Sequence, residues 1–399
     1  MNSIRIALTL VLLSALLPMA ARPAQAQTET ALYNFTGGSD GSAPYGPLTP
    51  DGKGNFYGTT SGGGAFGGGT VFELSPNGSG GWNESTLYSF CSVAPNCADG
   101  ANSTVYGSYV TFDSLGNLYG TTWAGGAYGY GVVFKLSPVG TSWEETVLYN
   151  YDGGAGYGVV AGVIFDPEGN LYGTTYGAIF ELSPSGGGWT EQTIFNEGYG
   201  GGWAGLIMDV HGNIFGVGSG SVFELSPNGS GGWNSTVIHS FAGAPKDGSW
   251  AEGALVLDSA GNLYGTATSG GTKNYGMVYK LTPVTKGKKK GTWEEKVLYS
   301  FKGGKKDGIS PYAGVVLDAD GNIFGTTHQG GKYGWGTVFE LVAPIGTGSY
   351  KEKVLWSFNI TDGDDPTDRL ILDSAGHLYG TTVFGGSSGN NGVVFEVSP

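Results

Sequence analysis

The sequence is poor in residues that build metal centres and nucleophilic sites. It has 2 cysteines and 4 histidines in 399 residues. Cys91 and Cys97 share one loop, Cys91-Ser-Val-Ala-Pro-Asn-Cys97, with no histidine close by. In an oxidising compartment that spacing reads as a local disulfide, and no metal site is expected there. The histidines are scattered as His211, His239, His328 and His377. No Ser-His-Asp set and no zinc-spaced cluster can be drawn from them, so no catalytic residue, metal ligand or cofactor is assigned. Positive charge is scarce too, with Lys plus Arg at 19 against 33 Asp plus Glu. Such a chain is repelled by phosphate backbones, which argues against nucleic acid or an anionic membrane as partner. The one basic run, Lys286 to Lys290, falls between two expected strands and reads as a solvated hairpin tip.

Long apolar runs are missing beyond the first 26 residues. There, Arg5 precedes the apolar stretch Ile6 to Ala21, and Ala24-Gln25-Ala26 supplies a small-x-small cleavage site. This pattern predicts a signal peptide over 1–26, with Gln27 as the new N-terminus. The run is short for a membrane span, and no cysteine follows it to carry a lipid. Cleavage would remove Arg5 and Arg22, leaving 17 basic against 33 acidic residues, a net charge of −16. A secreted, periplasmic or extracellular location is expected, with no membrane span in the exported chain.

What the chain has in excess is glycine, 77 residues, beside 13% aromatics. Each interior glycine weakens a helix by about 1 kcal/mol relative to alanine, so a helical fold is excluded. The aromatic content excludes disorder, and glycine keeps no triplet period. Many short strands joined by tight turns remain.

One unit recurs seven times. Its mark is Asp-x-x-Gly-Asn, then an apolar residue, an aromatic and glycine, starting at Asp51, Asp113, Asp166, Asp209, Asp258, Asp318 and Asp373. His377 replaces Asn in the last copy. Each unit reads as four strands. Strand A is the apolar run before the Asp, the Asp segment is a hairpin turn, and strand B is Asn-Leu-Tyr-Gly-Thr-Thr or a close variant. Strand C is Gly-x-Val-Phe-Glu-Leu-Ser-Pro, and strand D runs from Trp or Tyr to Leu-Tyr-Ser-Phe. After Asp373 the chain supplies A, B and C and reaches Pro399 without a D strand. The matching D strand stands at the other end, as Ala31-Leu32-Tyr33-Asn34-Phe35. A permuted start gains an open solenoid or a β-helix nothing, but it closes a ring. The fold expected is an all-β, seven-bladed β-propeller of four antiparallel strands per blade. It forms one domain over 27–399, closed by the N-terminal strand pairing with the C-terminal blade.

The unit Gly-Asn-Leu-Tyr-Gly-Thr-Thr … Gly-x-Val-Phe-Glu-Leu-Ser-Pro resembles the Gloeo/Verruco (GloVer) tandem repeat of exported bacterial proteins. More distantly, the A–B pair Val-Leu-Asp258-Ser-Ala-Gly-Asn-Leu-Tyr264 looks like NHL-type propeller repeats. The first resemblance implies export and no established activity. Family members carry variable C-terminal anchors, whereas this sequence stops at strand C, so a soluble product is expected. Some relatives of the NHL group are lyases or hydrolases, but a shared fold does not transfer an activity.

In such a fold the D–A and B–C loops share one face. Every D–A loop carries an acidic-Gly pair, at Asp40, Asp99, Asp152, Glu197, Asp247, Asp307 and Asp362. The plain reading is turn chemistry; the sharper one puts some of these carboxylates on a ligand. Loop aromatics either fill space or stack on a ligand. The candidate ligand-binding set is Trp123, Tyr130, Trp250, Tyr333 and Trp335 with Asp247 and Asp307. Strand A begins mostly with small residues, as in Gly46, Ala161, Gly162, Gly205, Gly253 and Gly314. The departures are Tyr109 and Asp368-Arg369, so a site on the axis would involve blades 2 and 7. The expected function is a monomeric binding or scaffold module with a glycan or protein as ligand. The alternative is an extracellular lyase- or hydrolase-type enzyme using acidic residues of the loop face.

Overall fold

The computed structural model describes residues 27–102, 108–154, 157–196, 204–218 and 220–398. The segment expected as a signal peptide and Glu197 lie outside these residues. Strands A to D of the first unit are Thr49–Pro50, Phe56–Thr60, Thr70–Pro76 and Trp82–Ser89, hydrogen-bonded in that order. The same antiparallel order repeats through seven sheets. The seventh is completed by the other end of the chain. Strand C, Val393–Ser398, lies between strand B, Leu378–Thr382, and the N-terminal strand Thr28–Asn34. The register runs from Thr28 opposite Ser398 to Asn34 opposite Val393, with a bulge between Ala31 and Tyr33. The permuted start therefore closes a seven-bladed β-propeller.

The Asp turn is built from the carboxylate. Asp258 Oδ1 accepts the Ala260 and Asn262 amides at 2.9 Å each, while Oδ2 accepts Asn262 Nδ2 at 2.7 Å and the Tyr264 hydroxyl at 3.1 Å. Partial burial works to raise the pKa of Asp258, but these hydrogen bonds outweigh it and hold the group below the usual carboxylate range. In the last copy the His377 amide takes the place of the Asn amide, at 2.8 Å from Asp373 Oδ1.

Strand B pairs with strand C so that its glycine faces an aromatic ring. Gly58 stands opposite Phe72 and Gly265 opposite Tyr279. A Cβ on Gly58 would lie 2.5 Å from Phe72 Cζ, so this glycine makes room for the ring. The core lies between neighbouring sheets. At the seam, Phe35 and Val394 of the last blade pack with Leu48, Phe72 and Leu74 of the first.

Strand A pairs over two residues only in each blade, for example Val256–Leu257. Its earlier residues leave the sheet and pack against the next strand A around the axis. A Cβ on Gly46 would lie 1.5 Å from the Ser108 carbonyl oxygen, and one on Gly253 would lie 2.6 Å from the Ala313 carbonyl. Small residues there let seven backbones converge.

Candidate functional site

The convergence leaves a cavity of about 270 Å³ on the axis. Its wall comes from the strand A starts of several blades. It includes Tyr109 of blade 2, Glu252 of blade 5, Tyr312 of blade 6 and Thr367-Asp368-Arg369 of blade 7. The residues expected to intrude on the axis, Tyr109 and the Asp368-Arg369 pair, do line it. Tyr109 is half-buried in the cavity wall. Burial pushes its phenol up to about 12, against the opposing pull of the Arg369 charge.

The cavity carries carboxyl groups whose hold on a proton is strengthened by burial. Burial alone raises Glu252 to about 7. Asp368 is buried, and Thr381 donates to its Oδ2 at 3.0 Å. Burial holds Asp368 well above the usual carboxylate range, and the Asp365 charge adds to this while the Thr381 bond opposes it. Beside it, Thr367 is buried with its hydroxyl lacking a hydrogen-bond partner. His328 Nδ1 contacts Asp365 Oδ1, and its ring stands edge-on to Tyr312 at 5.2 Å.

The rim is the face of the D–A and B–C loops. The two loops pair with each other, as Gly248 with Gly270 and Gly308 with Gly330. A staple joins neighbouring blades here. Ala43, Asn102, Trp250, Ser310 and Asp365 occupy corresponding places in five D–A loops, each with φ between 49° and 62°. Ser310 shows the wiring. Its amide donates to the Tyr275 carbonyl of the preceding blade at 2.9 Å, and its carbonyl accepts the His328 amide of its own blade at 3.0 Å. Left-handed backbone is uncommon for residues other than glycine. The side chain at this place differs in all five copies, so the backbone role is shared while the projecting group is free to vary. Trp250 is the largest of them. Its carbonyl is held by the Thr268 amide at 3.0 Å, its ring is 68% exposed, and two residues later the chain reaches Glu252.

The other candidate aromatics divide. Tyr333 and Trp335 are exposed, and Lys332 Nζ sits 4.7 Å from the Tyr333 ring centroid. Trp123 and Tyr130 are half-buried and cover glycines of the following D–A loop. A Cβ on Gly158 would lie 2.6 Å from Trp123 Cε3, and one on Gly153 would lie 3.0 Å from Tyr130 Cε2.

The acidic residues of the D–A loops face their own backbone. Asp307 accepts the Tyr299 hydroxyl at 2.7 Å and the Lys302 and Gly308 amides at 3.0 and 2.7 Å. Asp247 accepts the Ala242 and Gly248 amides at 2.7 and 2.6 Å. Both carboxylates close loops, which is the turn role weighed for them above.

These residues also form a pattern that the sequence alone did not reveal. Each of the six described ones lies close enough to a glutamate from strand D of the next blade for its charge to act on it: Asp40 on Glu84, Asp99 on Glu145, Asp152 on Glu191, Asp247 on Glu295, Asp307 on Glu352 and, across the seam, Asp362 on Glu29. Burial first, and the neighbouring aspartate second, raise Glu145 and Glu352 to about 8 and Glu29 and Glu295 to about 7. Burial and the like charge thus act on these glutamates in the same direction.

Cys91 and Cys97 are joined by a disulfide, with Cα atoms 4.0 Å apart. No helix among the described residues is long and apolar enough to cross a membrane.

The fold and its axial cavity define a seven-bladed propeller with a loop-face pocket. Residues 217–399 match the model of the Gloeobacter/Verrucomicrobia repeat. The same motif extends N-terminally through Asp51 and Asp113. Among solved structures, the chain is similar to virginiamycin B lyase from Staphylococcus aureus, at 13% identity and a TM-score of 0.56, covering 94% of this chain and 99% of that one. It is also similar to the extracellular domain of a proposed hybrid two component system from B. thetaiotaomicron. There the identity is 14% and the TM-score 0.54, over 92% of this chain and 41% of that one. At these identities the likeness establishes the fold alone. No curated protein matches by sequence.

Proposed function

We propose that this is an exported, monomeric binding propeller that takes a neutral saccharide on its D–A/B–C face, with the axial cavity as the deepest part of the site. The observation that carries this reading is the exposed Trp250 ring, held in left-handed backbone two residues from Glu252 at the cavity wall. A bulky aromatic kept in an unfavourable conformation and turned to solvent is uncommon without a functional reason. Flat rings at the rim offer stacking surfaces for the apolar faces of sugars. Arg369, Tyr109, Thr367 and Glu252 offer hydrogen-bond donors and acceptors for hydroxyls inside the cavity. The likeness to an extracellular domain supports the outside location. The acidic balance of the chain leaves neutral sugars as acceptable ligands. A glycan array probed with the purified protein tests the reading. Trp335→Ala and Trp123→Ala should each weaken binding of the best hit by about 1 kcal/mol or more.

A second reading is favoured by one observation. Glu252 and Asp368 are two carboxyl groups with raised pKa values in the wall of the same cavity. Such groups suit general acid catalysis in a lyase or hydrolase. Mass spectrometry of a bound saccharide after incubation separates the two readings. A binding module leaves the ligand intact, whereas an enzyme converts it and loses conversion in Glu252→Gln.

A further inference from the structure

One of the inter-blade carboxyl pairs has a histidine beside it. At three junctions a tyrosine of strand D donates its hydroxyl to the loop aspartate, Tyr33 to Asp40 at 3.1 Å, Tyr88 to Asp99 at 2.9 Å and Tyr299 to Asp307 at 2.7 Å. Between blades 4 and 5 the corresponding residue is His239. The substitution replaces a hydroxyl donor with an imidazole nitrogen that can carry a lone pair. His239, Asp247 and Glu295 then present one ligand atom each, all within 4.8 Å of one another.

The geometry points to a divalent transition-metal site, with zinc the metal that an imidazole and two carboxylates suit best. His239 Nε2 lies 3.4 Å from Asp247 Oδ1. That is about the separation of two ligands each about 2.1 Å from a tetrahedrally bound zinc. Asp247 is oriented from behind by the Ala242 and Gly248 amides, at 2.7 and 2.6 Å, the kind of support that metal-binding carboxylates receive. Glu295 Oε1 is buried with no hydrogen-bond partner, as are the Oε1 atoms of Glu29, Glu145 and Glu352 at other junctions, but this junction adds an imidazole that can share a cation with it. The three ligands leave a fourth position for water. They come from strand D of blade 4, the connecting loop and strand D of blade 5, so a bound ion would clamp two blades together. The site shares only Asp247 with the expected ligand-binding set, and that carboxylate closes its own loop, so metal binding and saccharide binding are tested separately.

The test uses zinc itself on the purified protein after chelator treatment. Calorimetric titration should give one equivalent of bound Zn²⁺, with thermal unfolding shifted upward. His239→Tyr installs the residue that donates to the loop aspartate at three of the other junctions, so it should fold. It should weaken zinc binding at least tenfold and abolish the thermal shift. Glu295→Gln keeps the size of the side chain and should weaken binding in the same direction. Absence of zinc binding to the wild-type protein, or equal binding and thermal shift in both variants, would overturn the assignment.

Discussion

Asn34 and Val393 are direct strand partners, although they stand near opposite ends of the chain. The Phe35 amide donates to the Gly392 carbonyl at 3.1 Å, and the Phe35 ring meets Phe72 of the first blade edge-on at 5.2 Å. The last blade and the seam thus depend on one N-terminal strand. Phe35→Ala should cost about 3–5 kcal/mol, the range for emptying a buried phenylalanine site. Removing the chain through Phe35 should cost more, because it also bares the edge of strand C. Denaturant unfolding of the two variants checks the order.

Tyr279 occupies a place held by phenylalanine in the other six blades. Its ring is fully buried and its hydroxyl has no hydrogen-bond partner. Tyr279→Phe should therefore be neutral or stabilising, by up to about 1 kcal/mol, since a buried unsatisfied polar atom is removed. A clear loss of stability on chemical unfolding would show that the hydroxyl has a partner after all.

The inter-blade carboxyl pairs give stability a pH dependence of definite sign. Glu145 and Glu352 have folded pKa values near 8, raised above the ordinary 4.5. Between these values the folded state binds more protons than the unfolded chain, so stability falls as pH rises through this window. Asp51, Asp113 and Asp258 act oppositely. Their lowered pKa values mean that stability is lost as pH falls below the ordinary carboxylate range. Unfolding temperature should peak near pH 4–5 and decline toward pH 8. Glu145→Gln, facing Asp99 and Tyr88, should flatten the decline. An unchanged slope in that variant would remove the pair from the account.

The Cys91–Cys97 disulfide closes a single loop whose Asp99 carboxylate already gathers the Ser92 and Val93 amides at 2.8 and 3.2 Å. Thiol titration of the exported, denatured protein should find no free thiol. Reduction should change the unfolding temperature little, because a short loop removes little chain entropy when closed.

Much of this architecture was legible in the sequence because the repeat exposes its own constraints. The permuted Ala31–Phe35 segment foretold the seam, and Asp-x-x-Gly-Asn foretold a turn built on a carboxylate. Tyr109 and Asp368-Arg369 stood out against small residues and do line the axis. Glu252 and Tyr312 were missed, since each directly precedes a small residue and breaks no motif. The left-handed staple left no trace, because Ala43, Asn102, Trp250, Ser310 and Asp365 share a conformation and no chemistry. The His239, Asp247 and Glu295 group was hidden for another reason. Its third member belongs to the next blade, so no short spacing in the chain announces it.

If the loop face binds a saccharide with Trp250 at the rim of the axial cavity, Trp250→Gly should separate binding from folding, because glycine relieves the left-handed backbone while deleting the ring. Calorimetric titration with the best glycan-array hit should show binding weakened by about 1 kcal/mol or more, in a protein whose unfolding temperature is equal to or above that of the wild type. An unchanged affinity in that stable variant, or a glycan array with no hit, would contradict the account.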